Sequence, residues 1–240
     1  MKSNMVNEMY YQNFINSLLT DKNRDLQKEK FDALYRVNYA FQNHNVHWVY
    51  FDIETTSRDN NLRNGVVIEI AAYCDEHNQF KEIANPGFPI TNSYIHGITD
   101  DMVRYANSTQ VVLNNFFIFI NNIKKTPDDI VILIGHNAAS FDKKIIENHL
   151  NDFKFNREFY YNIFIADTLH SFKRFISLKS YSLENIYKEI FDESYIESHR
   201  ALDDCKDLKR IVDYFTNKHQ LSIFDILEKY IYQLNFKSFF

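Results

Sequence analysis

"HWVYFDIETTS", residues 47–57, is the stretch on which the reading of the fold turns. Its aromatic and β-branched residues are those of a buried strand, yet Asp52 and Glu54 stand in its second half. In a strand, residues i and i+2 share a face and lie about 6.6 Å apart along the chain. The two carboxylates therefore point together, while Phe51 and Ile53 point to the opposite face. Two neighbouring anions in a poorly hydrated sheet repel, and three arrangements relieve the repulsion: one acid is protonated, basic residues neutralise the pair, or a cation sits between them. A lone D-x-E on a strand is more commonly a solvated strand end, so the remainder of the chain has to decide.

Outward from this strand, "GVVIEIAAYC" (65–74), which follows the Asn64-Gly65 turn signal, and "QFKEIANPG" (79–87) predict two further strands and hence a meander. "VVLNNFFIFINNIK" (111–124) has the length and periodicity of a helix, and "DIVILIG" (129–135) is a continuous apolar run of the kind buried on both faces. A helix over 141–150, a strand at "YNIFIAD" (161–167), helices from near Asp167 and Ser182, a helix over 200–217 and another from about 221 complete this part. Before the first strand, Phe14, Ile15, Leu18 and Leu19, then Phe31, Leu34 and Tyr35, are spaced for one face of a helical pair within residues 5–42. An antiparallel meander followed by alternating helices and strands predicts an α/β fold with a mixed sheet and helices on its faces. Three of the 4 glycines, Gly65, Gly97 and Gly135, fall at turns beside polar clusters, where backbone freedom is needed.

A chain of 240 residues and 28.8 kDa is expected to form one main domain with an appendage. The expected division is a helical extension over 1–46, a main domain over 47–217 and a packed C-terminal helix over 218–240. No apolar run approaches the roughly 20 residues that span a bilayer. The amino terminus lacks a secretory stretch, and Cys74 and Cys205 have no metal-site or disulfide-framework spacing. An intracellular, cytoplasmic protein without membrane contact is the expectation. The net charge of -5 excludes a broad basic surface for gripping nucleic acid, but not an enzyme that holds a short polynucleotide segment through bound cations.

Two more acids bear on the strand pair. In "FDKKIIENHL", Asp142 falls at helical spacing from Ile145, Ile146 and Leu150, on or beside the stripe that faces the sheet. In "HRALDDCKDLKRIVDYF", Leu208, Ile211, Val212 and Phe215 form the buried face, and Asp204 shares it, whereas Asp203 aligns with Asp207 and Arg210 on the wet side. Each helical acid alone is adequately explained as a first-turn carboxylate favoured by the helix dipole. Four carboxylates aimed toward one sheet make a bound cation the economical reading, and all-oxygen ligands suit Mg²⁺ or Mn²⁺. His199, five residues before Asp204, is placed by that offset in the loop feeding the helix, where it overhangs the acids as a candidate general base. Lys143, Lys144, Lys173, Arg174 and Arg200 are candidate phosphate contacts.

"FDIETT", "GHNAASFD" and "HRALDD", in this order, resemble the three exonuclease motifs of the DEDDh family, 3′→5′ exonucleases of ribonuclease H-like fold that include polymerase proofreading subunits and the three-prime repair exonucleases. "NPGFPITNSYIHGITDDMV" and "ADTLHSFKRFISLKSYSLENIYKEIF" resemble accessory stretches of that family, and the likeness spans about residues 47–217. It implies a five-stranded mixed sheet and two divalent ions, Mg²⁺ or Mn²⁺: Asp52, Glu54 and Asp204 would bind one, Asp52 would bridge to the second, and Asp142 would support it. It implies further that His199 deprotonates the attacking water, that Ile53, Thr55, Ile95 and His96 hold the terminal nucleotide, and that Phe141 contacts its sugar or base. The expected partner is a single-stranded or frayed 3′ end, DNA before RNA, with a protein partner for the N-terminal helices. The second motif departs from bacterial proofreading subunits by one extra step between His136 and Asp142, and Arg200 stands where the sister DEDDy group has tyrosine. The rival expectations are a 3′→5′ RNA exonuclease and a binding module on the same fold without turnover.

Overall fold

The computed structural model describes residues 24–56, 65–191, 194–195 and 198–234, with side chains from residue 32. The first of the two expected N-terminal helices lies outside the described residues. The second is α1 (Arg24–Gln42). It is followed by β1 (Val46–Thr55), β2 (Val67–Asp75) and β3 (Asn78–Ile83), then two single-turn helices, α2 (Ser93–His96) and α3 (Asp100–Val103). The expected long helix is α4 (Thr109–Ile123), which leads into β4 (Ile130–Gly135), α5 (Asp142–Asp152) and β5 (Ile163–Asp167). The chain continues as α6 (Thr168–Phe172), α7 (Leu183–Ile190), α8 (Ala201–His219), α9 (Ile223–Leu227) and β6 (Ile231–Gln233).

The sheet order is β3-β2-β1-β4-β5-β6. β1 pairs antiparallel with β2, and β2 with β3, as a meander requires, while β1, β4 and β5 run parallel. The sheet has six strands where five were expected, and the predicted C-terminal helix ends after one short turn-and-a-half. Helical spacing of Ile223, Phe224, Ile226 and Leu227 carries only that far. Ile231–Gln233 instead pairs antiparallel with β5, whose outer edge would otherwise present unpaired backbone groups.

Period-two alternation divides the core in two. Val49, Phe51 and Ile53 of β1 pack with Leu113, Phe116, Phe117 and Ile120 of α4 and Ile145, Ile146 and Leu150 of α5. On the opposite face, Tyr50 and Ala71 meet Cys205, Leu208, Ile211, Val212 and Phe215 of α8, together with Ala33, Val37 and Ala40 of α1. Asp52 and Glu54 share the face of Tyr50, so β1 presents them toward α8. Gly135 ends β4 where a Cβ would come within 2.9 Å of the Phe51 ring and 2.8 Å of Ala138, which is why no side chain is carried at the turn into α5.

One buried group ties this packing to pH. His149 of α5 accepts the Val67 N–H through Nε2 at 3.3 Å and stacks on Phe153 at 5.3 Å. Burial pushes its pKa down to about 4, opposed by the smaller influence of Asp152. A histidine whose folded pKa lies below its unfolded value supplies stability that is present above the unfolded pKa and lost as pH falls through the folded one. Urea titrations should therefore show the wild-type chain losing up to about 3 kcal/mol from this group between roughly pH 6.5 and 4. His149→Gln keeps an acceptor but cannot ionise, and should flatten that slope. An unchanged slope would assign the acid sensitivity elsewhere.

Candidate active site

The C-terminal end of β1, the turn at α2, the β4–α5 turn and the start of α8 enclose one cleft of about 510 Å³. All ten residues expected at the site line it: Asp52, Ile53, Glu54, Thr55, Ile95, His96, Phe141, Asp142, His199 and Asp204. Residues separated by up to 152 positions meet because β1 lies at the centre of the sheet, between β2 and β4.

Ligand atoms of Glu54, His199 and Asp204 all lie within 4.8 Å of one another. Asp204 is 5% exposed and Asp203 exposed, the choice that helical periodicity makes. Asp142 opens α5, where the helix dipole favours a carboxylate, and accepts the Ile53 N–H of β1. Burial nevertheless raises its pKa to about 7, with Asp167 adding like-charge repulsion. Buried Cys205 lies in the field of several of these acids. This thiol is pushed well above its usual pKa, first by burial and then by Asp52, Asp204, Asp142 and Glu69. With Asp52 and Asp142 lining the same cleft, the Glu54, His199 and Asp204 group is set among carboxylate oxygens, donors that fit hard divalent ions.

Backbone irregularity sharpens the site. Register between β1 and β2 shifts after the Glu54–Glu69 pair, so that Thr55 faces Val67 and the strand end is re-aimed into the cleft. His199 has φ of 50°, the left-handed region, and sits just before Arg200, the N-cap of α8, as expected of a residue in the loop feeding that helix. Asn137 is also left-handed, at φ 59°, in the lengthened second motif. Within that turn His136 is tied at both ring nitrogens, to Thr168 Oγ1 at 2.9 Å and the Tyr181 carbonyl at 2.6 Å. It braces the loop.

Three residues escaped the sequence reading. Asn92 lines the cleft, donates to the Thr55 carbonyl at 2.8 Å and leaves its own Oδ1 buried without a hydrogen bond among the described residues. Asp167 caps α6 through the Leu169 N–H and accepts the Ala139 N–H at 3.0 Å, fixing the β4–α5 turn. Glu69, fully buried on β2, receives Arg200 and the Ala201 N–H. The available signals were an asparagine before a one-turn helix and a single acid inside the apolar run "VVIEIAA". Four of the candidate phosphate contacts have partners within the fold. Arg200 is engaged by Glu69 and Lys143 by Glu147, Lys173 lies over the Tyr181 ring, and Arg174 donates to the Ile226 carbonyl. Long side chains find anions, rings and carbonyls inside the fold that local sequence does not reveal.

Comparison with known proteins agrees with this geometry. The RNase_T family, described as Exonuclease, matches residues 49–212. The chain is 32% identical over 190 residues to Exonuclease DPD1, chloroplastic/mitochondrial, of Arabidopsis thaliana, covering 73% of this chain and 58% of that protein. It is 30% identical over 167 residues to a PolC-type DNA polymerase III of Halalkalibacterium halodurans, covering 66% of this chain but 10% of the polymerase. Among solved structures, the nuclease domain of 3′hExo, a DEDDh family member bound to rAMP, aligns with a TM-score of 0.59 at 16% identity, over 71% of this chain and 92% of that one. E. coli ExoI in complex with ssDNA aligns with a TM-score of 0.57 at 16% identity, over 74% and 42% of the two chains. These structures share the fold. With the motif acids gathered in one cleft on that fold and a family match across most of the chain, the protein belongs to the RNase_T exonuclease family.

Proposed function

We propose that this chain is a metal-dependent 3′→5′ exonuclease that releases nucleoside 5′-monophosphates from single-stranded or frayed ends, DNA before RNA. The observation that carries the reading is the meeting of Asp52, Glu54, Asp142, Asp204 and His199 in one cleft. Residues 47–217 would be the catalytic unit, with 1–46 an extension open to a protein partner and 218–240 packed behind it. Among the described residues no helix is long and apolar enough to cross a membrane.

Asp52, Glu54 and Asp204 would hold one divalent ion, Mg²⁺ or Mn²⁺, and Asp52 with Asp142 a second. Such a pair, when bound, supplies positive field at the attacking and leaving oxygens of a phosphodiester. The chain's own residues do the rest. His199 takes a proton from the attacking water at a ring nitrogen, a task suited to imidazole at neutral pH. Ile53, Thr55, Ile95 and His96 form the wall for the terminal nucleoside, and Phe141 offers a ring for stacking, worth about 1–3 kcal/mol per base. Base pairing competes with stacking, which favours frayed over intact ends. His96 Nδ1 accepts the Ile98 N–H at 3.1 Å, so in the neutral ring Nε2 carries the proton and is a donor within this wall.

RNA remains the principal rival substrate, because relatives of this fold include a structure for 3′-end recognition of a histone mRNA stem-loop by a 3′-exonuclease. Purified protein incubated with 5′-labelled single-stranded DNA and RNA, with Mg²⁺ and with EDTA, decides. A ladder shortening from the 3′ end, faster on DNA and abolished by EDTA, is expected. Faster RNA shortening would exchange the substrate, and intact substrate under all conditions would favour a binding module without turnover.

A further inference from the structure

The β1–β2 register sets Glu69 directly opposite Glu54. Opposed carboxylates on one face of an antiparallel pair repel, and Glu69 is fully buried, so its charge must be compensated inside the fold. Arg200 compensates it in a two-pronged geometry: Nη2 donates to Oε1 at 2.6 Å and Nε to Oε2 at 3.2 Å. The Ala201 N–H donates to Oε2 at 3.0 Å, and Lys81 Nζ lies 3.6 Å from Oε1. The guanidinium is also close enough to Asp203 and Glu54 for both charges to favour its cationic form.

A permanent cation next to Glu54 has two places to go. It can stay on Glu69, or it can swing onto Glu54 and fill the space that a divalent ion requires. We propose that Glu69 is a positioning residue that parks Arg200, holding the guanidinium off Glu54 so that this carboxylate serves the cleft. The inference rests on reading Asp52, Glu54 and Asp204 as metal ligands. Full burial of Glu69 strengthens the pair, and the planar fork fixes the direction of the guanidinium as a lysine in the same place would not. Arg200 itself is half-buried between the two acids. The competing account is that the clamp only bolts the start of α8 to β2.

Mn²⁺ titration of the full chain by calorimetry, with a thermal melt of each variant, separates the two. Glu69→Gln retains an acceptor for the Ala201 N–H and removes the charge that holds Arg200. It is expected to weaken Mn²⁺ binding about tenfold by releasing a like charge toward the site. The double variant E69Q/R200M has no guanidinium to intrude and is expected to bind Mn²⁺ within about twofold of wild type. Unchanged affinity in Glu69→Gln, or a double variant as weak as the single, would overturn the proposal and leave the bolt. If Glu69→Gln does not fold, the double decides alone, since a tenfold loss there would also overturn it. A wild-type chain that binds no Mn²⁺ would instead overturn the ligand reading on which the inference rests.

Discussion

Alanine at His199 is expected to slow single-turnover release of nucleoside 5′-monophosphate by about 10² to 10⁴-fold, the range for loss of a positioned general base. Mn²⁺ affinity should stay within a few-fold of wild type. The second readout is needed because His199 lies within ligand distance of Glu54 and Asp204, so its ring could serve as a ligand instead. Slow turnover with intact metal binding assigns the histidine to proton transfer, and parallel loss of both assigns it to the ligand set. The backbone offers a further control. A non-glycine residue in the left-handed region costs roughly 1–2 kcal/mol, and His199 occupies that region with φ of 50°. His199→Gly relieves the strain that His199→Ala keeps, and should melt higher while being equally slow.

Asp52→Asn is expected to lower turnover by more than about 10³-fold, since on the proposed reading Asp52 would help hold ions that supply several kcal/mol of charge stabilisation. The expected stability change has the opposite sign. Asp52 is among the acids whose charges act on Cys205, alongside Asp204, Asp142 and Glu69. Removing one member of a like-charged group relieves repulsion in the metal-free chain, so in EDTA the variant should melt at or above wild type. On adding Mn²⁺ the wild-type midpoint should rise by mass action and the variant's should not. A variant that still degrades DNA with Mg²⁺, or still gains stability from Mn²⁺, would remove Asp52 from the ligand set.

Most of the sheet was legible because its signals are local. β1, β2 and β4 announce themselves by alternation or by continuous apolar runs, and the stripe on α8 chooses Asp204 over Asp203 through its own periodicity. The residues that escaped depend on partners remote in sequence. Arg200 reads locally as a solvated cation near a nuclease motif, and only the fold brings it to Glu69, 131 positions away. β6 has three residues, too few for a pattern, and its existence follows from the open side of β5. Asn92 looks like an ordinary helix cap, but its side chain makes no cap hydrogen bond and turns to Thr55 instead.

The chain order of the cleft also bears on when it can assemble. Asp52 and Glu54 come first, on a strand that later becomes central, and Asp142 follows, whereas His199 and Asp204 come last, at the start of α8. A chain made only as far as β5 would hold Asp52, Glu54 and Asp142 but neither His199 nor Asp204. Closure of the cleft thus waits for α8 to dock on the β1–β2 face of the sheet.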